Sequence, residues 1–163
     1  MARIFTVGGA NITVAGATTL VFINPPAAPS VGVRLVRGHC QQSANATSAQ
    51  TRIQLVTQVT AFPTLTSATP RKAMFHDPTA AVITGGTAGA AGTAGINASA
   101  EGAGSKTVVD EWVFNNLNGW DQLFTALDKY EFAAGVASGV GLFFPAAPST
   151  LTGWSFSLTY EEM

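Results

Sequence analysis

Trp154, Phe156, Leu158 and Tyr160 occupy every second position near the end of the chain, with Ser155, Ser157 and Thr159 between them. Successive side chains of a β-strand point to opposite faces, so a strand buries all four large residues on one side and leaves the hydroxyls on the other. The same period recurs upstream. Ile4 and Thr6 alternate with Phe5 and Val7. Ile12 and Val14, then Leu20 and Phe22, follow, with Gly16 expected as a turn or bulge between them. Val31, Val33 and Leu35 alternate with Gly32, Arg34 and Val36. Ile53 and Leu55 alternate with Arg52, Gln54 and Gln58, the pattern of a half-buried antiparallel strand. Residues 106–114, 129–133 and 140–144 are further strand candidates.

Only residues 120–129 carry helical spacing, with Leu123, Phe124 and Leu127 three and four apart, enough for one or two turns. Asn24-Pro25-Pro26-Ala27-Ala28-Pro29-Ser30 is expected as a loop, because paired prolines remove ladder donors. About eight short strands separated by Gly, Pro and Asn predict an all-β fold, an antiparallel β-sandwich or jelly-roll-like arrangement. The 163 residues suit one domain over 1–163. A chain of this size buries roughly 70% of its unfolded surface, enough for one core.

Residues 78–104 depart from the pattern. No charged residue occurs before Glu101, and Gly86, Gly89, Gly92 and Gly95 fall at every third position. Collagen is the wrong analogy, since four glycines without proline cannot nucleate a triple helix. The segment is expected as a Gly/Ala/Thr-rich loop or arm within the domain. It is either a flexible loop or an extended arm that packs on a neighbour by close backbone approach. Missing charge favours contact with another protein surface, since solvated linkers are polar and charged.

Charged residues make up 10% of the chain and apolar residues 47%, whereas globular domains average about 25% charged. A surface so poor in charge is expected to be partly covered by neighbouring chains. The net charge of −1 provides no basic field for nucleic acid or an anionic membrane. The longest apolar stretches fall far short of the ~20 residues that span a bilayer. Gly8-Gly9 and Asn11 interrupt what would have to be a signal-peptide core, so the reading is a soluble, unprocessed chain. Cys40 is the single cysteine, which excludes an intrachain disulfide.

No residue set points to chemistry. His39 and Cys40 are adjacent, but neighbours in a strand face opposite ways, so they cannot act as base and nucleophile. His76-Asp77 precedes Pro78 at an expected turn, and two separated histidines with one cysteine do not make a zinc signature. In Gly102-Ala103-Gly104-Ser105-Lys106-Thr107 a serine separates Lys106 from the last glycine and a strand follows, which excludes a phosphate loop. Asp110, Glu111, Asp121, Asp128 and Glu131 are read as structural or solvated carboxylates. Trp154 belongs to a core face, while Trp112 and Trp120 could serve a sugar-stacking platform or an interface. Asn11, Asn45 and Asn97 head Asn-X-Ser/Thr triplets, which carry no weight without a secretory signal. No catalytic residue, cofactor-binding residue or metal ligand is expected.

Four stretches carry a resemblance. They are the opening Met1-Ala2-Arg3-Ile4-Phe5-Thr6-Val7, then Val31-Gly32-Val33-Arg34-Leu35-Val36, the Asp/Glu-Trp strand at 107–114, and the closing Gly153-Trp154-Ser155-Phe156-Ser157-Leu158-Thr159-Tyr160-Glu161-Glu162. Together they resemble a group of small proteins encoded in tailed-phage and prophage structural regions. The likeness is one of pattern over most of the chain, and residues 79–104 depart from it. It implies a virion structural protein with a β-sandwich or jelly-roll fold, above all a capsid decoration (cement) protein, made in the host cytoplasm and located on the capsid surface. The implied partners are the major capsid protein and further copies of the chain, with a trimer suited to three-fold positions of the shell. Nucleic acid, membrane, cofactor and enzymatic activity have no part in it. Expected assembly contacts are Ile4 and Phe5 in the first strand, Pro25 and Pro26 in the proline loop, Gly86, Gly89, Gly92 and Gly95, and Trp120. The alternatives are a tail or head-fibre component, and a carbohydrate- or receptor-binding β module, which requires Trp112 or Trp120 to be exposed.

Overall fold

The computed structural model describes residues 3–27, 31–44, 47–73, 79–125, 130–133 and 138–163. Among these the two-residue period is realised as thirteen strands and no helix. One sheet runs in the order β10 (Trp120–Leu123), β3 (Val33–Gln42), β13 (Trp154–Glu162), β1 (Arg3–Ile12), β6 (Arg71–Lys72), with β11 (Glu131–Phe132) also on β3. The other runs β5 (Thr64–Ser67), β8 (Thr93–Ala100), β2 (Thr18–Asn24), β12 (Ser138–Phe144), β4 (Gln50–Val59), β9 (Lys106–Asn115). The short β7 (Thr84–Gly85) lies parallel to β8, and every other pairing is antiparallel. The molecule is therefore an antiparallel β-sandwich.

Its pairings are nested. The first strand pairs with the last (β1 with β13), and inside that pair follow β2 with β12, β3 with β10 and β4 with β9. Residues between β4 and β9, which carry β5 to β8, form an insertion at the innermost turn. Alternation explains the core. Phe5, Val7, Leu35, Cys40, Trp154, Phe156, Leu158 and Tyr160 of one sheet cluster with Val21, Ile23, Ile53, Leu55, Val140, Leu142 and Phe144 of the other, all buried. Burying each such large side chain contributes about 1.5–3 kcal/mol. The open side between β9 and β10 is closed by aromatic contacts. Ring centroids lie 5.0 Å apart for Trp112 and Trp120, 6.2 Å for Trp112 and Phe124, and 4.9 Å for Phe124 and Tyr130.

The structure differs from the sequence reading at three places. Residues 120–123 are strand, not helix. Trp120 pairs with Cys40 and Asp121 with His39, and the Trp120 ring occupies the space over Gly38, where an added Cβ would stand 2.5 Å from it. Burial of an indole outweighs weak local helical spacing. Leu127 and the rest of 126–129 lie outside the described residues.

The glycine-rich stretch carries β7 and β8, so its second half is sheet. Val21 pairs with Ile96 and Phe22 with Gly95, while β5 flanks the other side. Gly95 lets these backbones close up, since a Cβ there would stand 2.7 Å from Leu65 Cβ. Low β-propensity of Gly and Ala hid a strand that its neighbours impose.

Gln58, expected on a wet face, is fully buried. The insertion lies over it, and its Nε2 donates to the carbonyls of Ala61 at 2.8 Å and Glu101 at 3.3 Å. The same cover buries Phe22, whose ring centroid lies 5.8 Å from that of Phe62.

Candidate functional site

The solvent face of the β10-β3-β13-β1-β6 sheet gathers polar and ionisable side chains from strands that are distant in sequence. Because Phe156, Leu158, Cys40 and Trp120 turn inward, the residues between them turn out. Gly8 stands opposite Ser157, Ser157 opposite His39, and His39 opposite Asp121, making one row across four strands. Asp121 accepts a hydrogen bond from Arg37 Nε at 2.9 Å and a second from Arg37 Nη2. The Arg37 hydrogen bonds hold the Asp121 carboxyl below the usual carboxylate range, and His39 adds a smaller pull in the same direction. Arg37 is stabilised as a cation in return.

Ser157, His39 and Asp121 are the residue types of a nucleophilic triad, but its hydrogen bonds are not formed. His39 Nδ1 lies 3.7 Å from Asp121 Oδ2 and has no hydrogen-bond partner among the described residues. No hydrogen bond joins Ser157 to His39 among the described residues, whereas a nucleophile and its base stand within hydrogen-bond reach. The row is best described as a polar sheet surface with its acid already neutralised by arginine.

A groove opens beside this row. One cavity of about 270 Å³ lies over Gly8, Gly9 and Ala10 of β1, between His39, Ser155 and Ser157 on one side and Arg71 on the other. A second, about 370 Å³, shares Thr6, Gly8 and Arg71 with it and continues beneath residues 67–70 to Ile96. Both share one floor because β6 brings Arg71 opposite Thr6. Gly8 and Gly9 let the chain's own neighbours close on β1, since a Cβ would stand 2.3 Å from the Phe156 carbonyl oxygen at Gly8 and 2.8 Å from Ile96 Cδ1 at Gly9. Thr6 Oγ1 is engaged with Thr159 Oγ1 at 2.9 Å, and Ser155 Oγ accepts from Asn11 N–H at 3.4 Å. Ser157, His39 and Arg71 remain to meet a ligand.

The residues singled out in the sequence do not converge on this groove. Phe5, Pro25, Gly89, Gly95 and Trp120 are buried within the chain's own fold, whereas Ile4, Pro26, Gly86 and Gly92 are partly exposed. Trp120 is buried and Trp112 is half-buried against it with the two rings tilted by 43°, so they form no flat exposed platform. Each described carboxylate of the 110–131 region has its own partner. Asp110 accepts from Tyr130 Oη at 2.7 Å, Glu111 faces Arg52 at 3.5 Å, and Glu131 faces Arg34 at 3.8 Å. Asp128 and the pair His76-Asp77 lie outside the described residues.

Cys40 is buried with its thiol pushed up by desolvation, which makes it an inert core residue. Arg71 and Ser157 were not foreseen. The doublet Gly8-Gly9 inside an otherwise strand-like run was the one local signal, because strand glycines mark close approach. Among the described residues no three His, Cys, Asp or Glu side chains are placed to share a metal ion. Comparison with protein-family models, with curated proteins and with solved structures finds no match.

Proposed function

We propose that the chain is a virion structural protein, a capsid decoration (cement) protein that binds the outer capsid surface and stabilises contacts between capsomers. The observation that carries this reading is the nested strand pairing. First with last, second with second-last, in two facing sheets, is the order expected of a jelly roll, an architecture of viral capsid and lectin domains. The pattern resemblance to phage structural proteins points the same way.

Surface composition supports an assembled state. With 10% charged residues, the chain leaves large apolar side chains in water, and among the described residues five of the nine belong to β9, β10 and the turn between them. Val108, Val109 and Val113 of β9, Leu117 of the following turn and Leu123 of β10 are all exposed, Val113 at 62% and Leu123 at 64%. In this reading the β9–β10 flank meets further copies or the major capsid protein. Open-ended strand addition along β9 is disfavoured. Leu55 pairs with Asp110 and Val56 with Val108, leaving Val109 as an extra bulged residue beside two acids. Bulges and inserted charges blunt an edge, so the contact is made by side chains in a closed oligomer, a trimer at three-fold positions of the shell.

Co-sedimentation with purified, undecorated capsids, with light scattering of the free protein in parallel, tests the proposal. Saturable binding at a fixed ratio per capsomer is expected. A monomer that fails to bind would overturn it and favour a tail or head-fibre role.

A further inference from the structure

We infer that the groove over β1 is a binding site for an acidic saccharide, with Arg71 holding the carboxylate. The inference does not depend on the capsid reading, since Arg71, Ser155 and Ser157 are none of the residues of the β9–β10 flank.

Three observations carry it. The first is the state of the cations. Arg3 is paired with Glu162, Arg34 with Glu161, Arg37 with Asp121, Arg52 with Glu111 and Lys106 with Glu101, and Lys72 is engaged as well. Arg71 alone, among the described lysines and arginines, has no hydrogen-bond or ion-pair partner for its side chain, and it stands at the junction of both cavities. In a chain this poor in charge, one unpaired guanidinium at a cavity mouth is a group left for something outside the fold.

The second is the sign of the lining. Among the described residues lining the two cavities the ionisable groups are Arg71 and His39; no carboxylate lines either cavity, and Asp121, 3.7 Å from His39, is already paired with Arg37. The groove therefore favours an anion. A guanidinium binds a carboxylate through two parallel N–H···O bonds, which fixes orientation as well as charge.

The third is the rest of the wall. Ser155 and Ser157 on one side and Ser67 and Thr69 on the other supply neutral hydroxyls, while Phe156, Pro70 and Ile96, which also border the cavities, are buried. Hydroxyls that both donate and accept match ring hydroxyls. A bare phosphate site is built differently, from backbone N–H nests, helix termini or several cations. One cation among many hydroxyls is the complement of one carboxylate on a polyhydroxylated ring.

The test is a titration of the isotopically labelled full chain, followed by amide chemical shifts, with trigalacturonate, with neutral galactotriose and with inorganic phosphate. Trigalacturonate should produce saturable shifts at Gly8, Gly9, Ser155, Ser157 and Arg71. Arg71→Gln should weaken it by about tenfold or more, the worth of one charge-assisted hydrogen-bonded pair. Arg71→Lys should recover only part of the affinity. Unchanged amide shifts away from the groove will verify that each variant is folded, as expected for an exposed, unpaired side chain. Equal binding of galactotriose, phosphate binding as tight as trigalacturonate, indifference to Arg71→Gln, or no saturable shift would each overturn the assignment.

Discussion

Arg3 and Glu162, the first residue of β1 and the last of β13, stand directly opposite each other in the ladder and meet as an ion pair at 3.1 Å. The Glu162 side chain is fully buried. It also accepts the backbone N–H of Val82 at 2.9 Å and of Ile83 at 3.0 Å, while Arg3 Nη2 donates to the Ala80 carbonyl at 2.7 Å. The outermost pair of the nested strands thereby grips the insertion carried by the innermost one. Ile83, drawn in by this clasp, is a fully buried member of the core.

Both partners should be costly to remove. Glu162→Ala leaves two backbone N–H groups without their acceptor, at about 1–3 kcal/mol for each orphaned donor, while the partly exposed Arg3 can turn to water. A loss of about 3 kcal/mol in urea unfolding is expected. Arg3→Ala leaves the Glu162 carboxylate buried without its counter-ion, at about 3–5 kcal/mol. A loss of about 1 kcal/mol or less for Arg3→Ala would mean that the two backbone N–H groups alone satisfy Glu162.

Two glycines separate backbone requirement from composition. Gly102 has φ of +69°, and a Cβ there would stand 2.1 Å from the Ala61 carbonyl oxygen. Nothing lies within 4 Å of the corresponding position at Gly16. Gly102→Ala must move backbone and should destabilise by about 2 kcal/mol or more, beyond the usual cost of a strained left-handed residue. Gly16→Ala should be neutral, or stabilise by up to about 1 kcal/mol through the unfolded chain. Thermal melts of the two variants, compared at one pH, decide the point.

Stability should decline in alkali in two steps. Desolvation raises the Cys40 thiol far above its ordinary value, and Tyr160 is raised by desolvation and then by Glu162, with Arg3 opposing. Both groups keep their protons when folded but lose them when unfolded, so the unfolded state binds fewer protons and stability falls as pH rises. The contributions are complete below the unfolded pKa values, about 8.5 for Cys and about 10 for Tyr, and shrink above each. Denaturation midpoints from pH 7 to 11 should show the first decline vanish in Cys40→Ala. Asp121 works in the opposite sense. Its lowered pKa contributes stability above the unfolded value of about 3.9, and this is lost as the pH falls further.

How far the sequence foretold this fold depended on whether the cause was local. β13 was legible because one face is core and the other solvent, so Trp154, Phe156, Leu158 and Tyr160 appear at period two. β2 is buried along its whole length, since the insertion covers its outer face, and it shows an apolar run with no polar alternation to fix its limits. β8 and β10 were missed because tertiary pairing imposes them on residues whose own preferences point elsewhere. The groove was illegible for a related reason. Thr6, His39, Arg71 and Ser157 come from four separated segments, and only the register of β6, β1, β13 and β3 brings them together.

The exposed apolar flank yields the last prediction. Val113 and Leu123 lie on consecutive edge strands of the two sheets and are each more than three-fifths exposed. Replacing either by lysine removes no core contact, so stability should stay within about 0.5 kcal/mol. A stable interface covers about 800 Å² of each partner and excludes unpaired charge from its centre. If this flank is the seam between copies, Val113→Lys with Leu123→Lys should reduce the mass measured by light scattering to that of one chain. Val82→Lys, exposed elsewhere on the surface, should leave that mass unchanged. An oligomer that survives the double substitution, or one that Val82→Lys disrupts equally, would move the seam away from β9 and β10.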